Sequence, residues 1–170
     1  LLDIGCQTLI VPMVESGEQA EMLARAMRYP PDGIRGVGGA GARATRFSSH
    51  ADYLTTANDE MCLVVQLESR AGFNALDEIL AVEGVDAVFI GPSDFSANLG
   101  HIGNPGAPEV QAAITDSLQR IKAAGKASGI MSLDPVAAKS YLDQGVDFVA
   151  VAIDSLTLAK ALRSTAAACR

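Results

Sequence analysis

The sequence predicts an α/β fold built on a parallel sheet, and three observations carry that reading. Short, β-branched apolar segments alternate with longer helical patterns along the chain. Several of the short segments are apolar at every position, as strands covered by helices on both faces are. The string Gly84-Val85-Asp86-Ala87-Val88-Phe89-Ile90 is echoed by Gly145-Val146-Asp147-Phe148-Val149-Ala150-Val151, each leading to an acid, Asp94 and Asp154. This recurrence marks a repeated αβ unit rather than a short-period solenoid. Alternating units of this kind imply a parallel sheet, either open or closed as a barrel.

Strands are expected at Thr8–Val11, Cys62–Leu67, Ala87–Ile90, Ala127–Met131 and 148–153. Ser16 and Gln19 have capping-box spacing and open a helix that turns Leu23, Ala26 and Met27 inward. Residues 29–47 are rich in Pro, Gly and Arg and read as a long loop. Residues 71–80 form a short helix. Pro108 takes the first turn of another, whose apolar stripe is Val110, Ile114, Leu118 and Ile121 and which Gly125 ends. Asp134 and Pro135 fit the N-cap and first position of the next helix, with Tyr141 and Leu142 buried and Gly145 as its stop. Ser155 caps a last Ala/Leu-rich helix. Residues 1–170 are read as one domain holding five βα units. A complete eight-unit barrel takes about 250 residues, so a barrel here lacks about three units.

The 13 basic residues face 20 acidic ones, a net charge of −7. No basic surplus remains for nucleic acid. The three cysteines, Cys6, Cys62 and Cys169, lie far apart without CxxC spacing. They form neither a disulfide framework nor a zinc site, which fits a reducing, cytoplasmic setting. The longest apolar run, 148–153, falls far short of the roughly 20 residues of a membrane span. The opening LLDIGCQTLI lacks the basic start of a signal peptide.

In parallel α/β folds reacting groups gather at the carboxyl ends of strands. The strand ending VVQLES places Gln66 and Glu68 on one face by alternation; the competing reading is a solvated Glu68 or one paired with Arg70. In VFIGPSDFS, Gly91-Pro92 turns the chain and brings Ser93 and Asp94 beside Glu68 if the two strands are neighbours. Two carboxylates without nearby His or Cys suit Mg²⁺, Mn²⁺ or a similar ion, and the turn's amides suit an anionic group. The alternative is that Asp94 caps a turn. Gly36, Gly38 and Gly41 have GxGxxG spacing, but YPPD precedes them and no helical period follows, so a flexible loop is the better reading. Arg35, Arg43 and Arg46 either steer an acidic substrate or line a solvated loop. His50 and His101 share no ligand spacing; His101 lies in the Gly/Asn/Pro-rich loop after Asp94 and either reaches the mouth of a site or, the better reading, is a surface residue. Cys6 and Cys62 are expected to fill core space.

Taken together, LLDIGCQTLIVPMV, RYPPDGIRGVG, VVQLES and VFIGPSDFSANLG, continued by NLGHIGNP and PEVQAAI, resemble the HpcH/HpaI family of class II pyruvate aldolases. That group includes 4-hydroxy-2-oxoheptanedioate aldolase and 2-dehydro-3-deoxyglucarate aldolase. The resemblance implies a (β/α)₈ TIM barrel, of which this chain is the C-terminal portion, assembled as a homo-hexamer that exchanges C-terminal helices. It implies a divalent ion (Mg²⁺, Mn²⁺ or Co²⁺) held by Glu68 and Asp94. It further implies that Gln66 contacts bound pyruvate or its waters, that the Ser93 and Asp94 amides hold the pyruvate carboxylate, and that Gly91 lets the substrate approach. Val37 and Met131 match apolar positions near the pocket. The implied reaction is reversible cleavage of a 4-hydroxy-2-oxo acid to pyruvate and an aldehyde.

The family's general-base His, its Asp partner and its Arg are expected on strands preceding Leu1, and neither His50 nor His101 matches that base. The chain opens without an initiator methionine and is expected to be a piece of a longer one, or a truncated product. An open five-strand sheet exposes two edges and an apolar inner face. Alone, it is expected to bind metal weakly and turn over poorly. The rival readings are a non-catalytic chain acting in assembly and a citryl- or malyl-CoA lyase on the same scaffold.

Overall fold

A computed structural model describes residues 1–169. Five parallel strands lie side by side in chain order: β1 (Thr8–Val11), β2 (Cys62–Leu67), β3 (Ala87–Ile90), β4 (Ala127–Met131) and β5 (Phe148–Ala150). They form a curled half-barrel, a partial TIM-barrel-like fold. Helices fill each connection: α1 (Gly17–Ala26) and α2 (Tyr53–Glu60), α3 (Arg70–Asn74) and α4 (Leu76–Leu80), α5 (Pro92–Asn98) and α6 (Pro108–Ala123), then α7 (Pro135–Asp143). The last, α8 (Asp154–Ala168), follows β5.

Alternation along the strands separates two apolar layers. Leu63, Val65, Leu67, Val88, Ile90 and Ile130 face the helices and join Ala20, Ala24, Leu76, Ile79, Phe95, Ile114 and Ile121 in the main core. Val64, Ala87 and Phe89 face the concave side with Cys62, Ala127, Met131, Phe148 and Ala150. On that side Phe89 and Phe148 stack with centroids 5.8 Å apart. The residue between them is Gly129, and a Cβ there would collide with the Phe148 ring.

The helix starts follow their sequence signals. Ser16 Oγ accepts the Gln19 N–H at 3.1 Å, Pro108 and Pro135 occupy first turns, and the Asp134 carboxylate accepts the Val136 N–H at 2.8 Å. The repeat is structural as well. Gly84 and Gly145 have φ of 95° and 90°, and Val85 and Val146 are buried. Asp86 Oδ2 accepts the Leu63 N–H at 2.7 Å while Asp86 N–H donates to Leu63 O. Asp147 does the same to Ser128.

Several expectations are corrected. Strand β5 stops at Ala150 rather than 153, since no sixth strand pairs with it among the described residues. The 71–80 helix is two short helices broken at Ala75. Leu142 is exposed and Tyr141 half-buried, because α7 lies over the thinly covered β5. Ser155 does not cap α8; its own N–H donates to Asp154 Oδ1. The echoed acids are not equivalent: aligned on their glycines, Asp94 matches Ser155 and Ser93 matches Asp154. Helix α2 was not anticipated, its composition YLTTANDE being too polar to show a stripe. Arg35 is buried: it donates to Asp3 Oδ1 at 2.8 Å and Tyr53 Oη at 3.2 Å and lies over the Tyr29 ring, so it is a pillar of the loop rather than a steering charge. Among the described residues no helix is long and apolar enough to cross a membrane.

Candidate active site

β2 and β3 are paired, with Gln66 opposite Phe89 and Leu67 opposite Ile90. The ladder continues one step beyond both, since Gly91 N–H donates to Leu67 O at 3.1 Å. Glu68 and Gly91 therefore emerge side by side at the carboxyl end of the sheet.

Glu68 is 4% exposed. Burying a carboxylate is costly unless it is well bonded or paired. Two donors hold it: Met13 N–H at 2.9 Å from Oε1 and Gln66 Nε2 at 2.8 Å from Oε2. Gln66 and Glu68 thus share a face, as alternation predicts. Arg70 does not pair with Glu68; it reaches Glu109 and the Leu99 carbonyl. Burial pushes the Glu68 carboxyl above the ordinary carboxylate range, the Met13 N–H works against that, and the Asp94 charge raises it further. Asp94 itself follows three residues after Gly91, in the first turn of α5.

Asp94 and Ser93 lie exposed in the first turn of α5, with Gly91 at the N-cap and Pro92 at the first helical position. Asp94 is not a cap, as Gly91 occupies that position. The first helical bond runs from Phe95 N–H to Gly91 O, so the Ser93 and Asp94 amides have no acceptor within the helix. Gly91 is needed for space. A Cβ there would stand 2.7 Å from Glu68 Oε2 and 3.1 Å from Gln66 Nε2.

Among the described residues no group of three or more His, Cys, Asp or Glu forms a metal cluster. What is present is a buried carboxylate without an ion-pair partner among the described residues, fixed by the Gln66 amide N–H, and a second, exposed carboxylate in the first turn of the helix that follows the neighbouring strand. That oxygen-only set fits a hard divalent ion that keeps several waters.

The remaining candidates fall in different places. Met131 ends β4 on the concave side, within the Phe89 cluster. Val37 is 58% exposed in the loop. The glycines at 36, 38 and 41 follow no strand and lead only into a single 3₁₀ turn, Gly39–Gly41, so the dinucleotide reading fails. His50 packs edge-on against Tyr53, and His101 Nε2 lies 3.1 Å from Glu109. Sequence reasoning missed Met13, whose left-handed φ of 54° aims its N–H at Glu68. Residue type gave no signal, because methionine has no preference for that conformation.

Residues 1–161 match the family described as HpcH/HpaI aldolase/citrate lyase. The chain is 60% identical over 166 residues to a hydroxypyruvate/pyruvate aldolase of Pseudomonas aeruginosa, covering 98% of this chain and 62% of the relative. It is 54% identical over 167 residues to a 4-hydroxy-2-oxo-heptane-1,7-dioate aldolase of Klebsiella pneumoniae, covering 98% and 63%. A crystal structure of a family member from Burkholderia cenocepacia superposes with a TM-score of 0.93 at 39% identity, covering 99% of this chain and 67% of that one. This chain thus spans somewhat less than two thirds of those curated relatives, and nearly all of it takes part in each match. With the strand order, the emergent Glu68–Gly91 pair and these matches in agreement, the chain belongs to the HpcH/HpaI aldolase/citrate lyase family.

Proposed function

We propose that the protein is the part of a divalent-metal-dependent aldolase that binds the ion and pyruvate, in an enzyme that cleaves a 4-hydroxy-2-oxo acid to pyruvate and an aldehyde. The observation that carries this is the Glu68 carboxylate, buried, bonded by two N–H donors and paired with no cation among the described residues.

Glu68 and Asp94 hold the ion, which is Mg²⁺, Mn²⁺ or Co²⁺. Gln66 fixes one Glu68 oxygen, which leaves its own carbonyl oxygen to meet the substrate or its waters. The Ser93 and Asp94 amides, unsatisfied within α5, receive the pyruvate carboxylate. Gly91 keeps the floor of the site open. Met131 and Val37 supply apolar walls. Cleavage of the C3–C4 bond places negative charge on the 2-oxo oxygen of the departing pyruvate, and stabilising that charge is what a divalent ion provides. No residue of this chain is assigned the role of general base. Self-association, with a hexamer as the expected form, is supported by α8, which buries none of its residues against its own chain.

Titration with Mn²⁺, followed by the electron paramagnetic resonance of the free ion, tests the reading. Glu68→Gln and Asp94→Asn are each expected to abolish binding while the metal-free fold is kept. Parent-like binding in both would sink the proposal.

A further inference from the structure

Met13 stands at the carboxyl end of β1 with φ of 54°, a conformation that residues other than glycine rarely adopt. The consequence is directional. Its N–H turns out of the sheet ladder and donates to Glu68 Oε1 at 2.9 Å, while the next amide, Val14 N–H, returns to Gln66 O at 3.4 Å. A strained turn persists only where its surroundings impose it. Here one side chain spans the turn. Gln19, in the first turn of α1, donates from Nε2 to Met13 O at 3.3 Å and accepts the Glu15 N–H on Oε1 at 2.9 Å. Its own backbone N–H is anchored on Ser16 Oγ at 3.1 Å, which fixes the side chain's root. The path from α1 to the buried carboxylate is therefore continuous: Gln19 side chain, Met13 carbonyl, Met13 amide, Glu68.

We infer that Gln19 is a positioning residue for the metal-binding carboxylate: it clamps the Met13–Glu15 turn in its left-handed form, so that the Met13 amide holds Glu68 in the orientation that receives the ion. This rests on the metal-site reading above. Gln19 is half-buried and both of its side-chain bonds go to backbone, so it acts through Met13 rather than on the ion or the substrate. Glycine at position 13 adopts left-handed φ without the steric cost of a side chain. The need for the clamp is thus predicted to fall when Met13 is replaced by glycine.

The test is Mn²⁺ affinity measured by the free-ion resonance signal, with metal-free thermal unfolding alongside. Gln19→Ala is expected to weaken Mn²⁺ binding about tenfold while the metal-free melting temperature moves by no more than about 3 °C. Gln19→Ala combined with Met13→Gly is expected to recover at least half of that loss on a logarithmic scale, a rescue that a merely structural role for Gln19 does not produce. Gln19→Glu keeps the acceptor for Glu15 N–H and replaces the donor to Met13 O with a carboxylate oxygen that cannot bond it; it is expected to lose about threefold and serves if the alanine variant does not fold. Glu68→Gln is the reference arm. If Glu68→Gln loses Mn²⁺ and the Gln19 variants stay within twofold of the parent, the positioning inference is wrong and the metal site stands. Weakened binding that the Met13→Gly change does not rescue also overturns the inference. If Glu68→Gln binds Mn²⁺ normally, the metal site itself is wrong, and this inference falls with it.

Discussion

At the start of β3 the Asp86 carboxylate takes the Leu63 N–H at 2.7 Å, and at the start of β5 the Asp147 carboxylate takes the Ser128 N–H at the same distance. Each follows a left-handed glycine and a buried valine. Beyond this common start the two units diverge. All four residues of β3 are buried, whereas the three of β5 are half-buried. After β3 comes Gly91, then a helix that seats Phe95 in the core; at the equivalent place after β5 stands Ala152, then α8 with no buried residue. The start of a unit sets register and sidedness through local hydrogen bonds. What its far end can do depends on what covers it, and of the two ends only that of β3 lies against a buried carboxylate, Glu68 at the exit of the neighbouring β2.

The sharpest way to break this comparison is to empty matching positions. Ile90→Ala removes a fully buried side chain, with an expected loss of about 2–5 kcal/mol. Val151→Ala, at the equivalent place and 56% exposed, is expected to stay within about 0.5 kcal/mol. Urea unfolding of the two variants measures both, and similar losses would show that burial does not separate the units. Removing the shared start should instead cost both units alike. Asp86→Ala and Asp147→Ala each strand a strand N–H, with a loss of about 1–3 kcal/mol.

Asp147 adds a pH signature. The Ser128 N–H holds its carboxyl below the ordinary carboxylate value, helped by Ser128 Oγ and opposed by burial. A depressed folded value means that the unfolded chain binds the proton first as pH falls. The stabilisation is therefore complete above the unfolded value, about 3.9, and is lost as pH drops through the lower folded value. Urea midpoints of the parent and Asp147→Asn should differ near pH 6, and the gap should begin to close only as pH falls below about 4. A gap that persists unchanged to low pH contradicts that assignment.

A smaller effect is expected at the strand exits, where Gly91→Ala forces a Cβ against Glu68 Oε2 while Ala152→Gly touches nothing comparable. Gly91→Ala should weaken Mn²⁺ about tenfold, or about 1.4 kcal/mol, and Ala152→Gly should leave it unchanged. Calorimetric titration of both variants decides whether the exit glycine serves the site or only the turn.

Much of this architecture was legible because local chemistry dictated it. The five strands begin at the residues where the short apolar segments were expected to begin, and Ser16, Pro108 and Asp134 start helices as their residue types require. Gln66 and Glu68 share a face because strand side chains alternate. What escaped depended on partners distant in sequence. Arg35 is buried because Asp3, Tyr29 and Tyr53 converge on it, and nothing near residue 35 announces them. Leu142 is exposed although its helical phase looks apolar, since burial needs a covering layer that the pattern of one helix cannot supply. Met13 was invisible because its role lies in its backbone.

The least perturbing test concerns the uncovered end. Leu158 and Leu162 stand one helical turn apart on α8, each 61% exposed. Within one chain they contribute almost nothing, so Leu158→Glu with Leu162→Glu should change its urea unfolding by less than about 0.5 kcal/mol. If copies of the chain associate through α8, each leucine gains about 1.5–3 kcal/mol on being covered, and the same double variant should shift the protein to smaller species in sedimentation velocity. The two measurements separate causes that exposure alone does not. A stability loss without a change in size means that α8 packs on its own chain more tightly than its exposure indicates. A change in size, with a stability loss that vanishes at concentrations where the parent is itself a monomer, means that the β5 unit is completed by a neighbour, and that the contrast with β3 is one between a unit covered from within and a unit covered from outside.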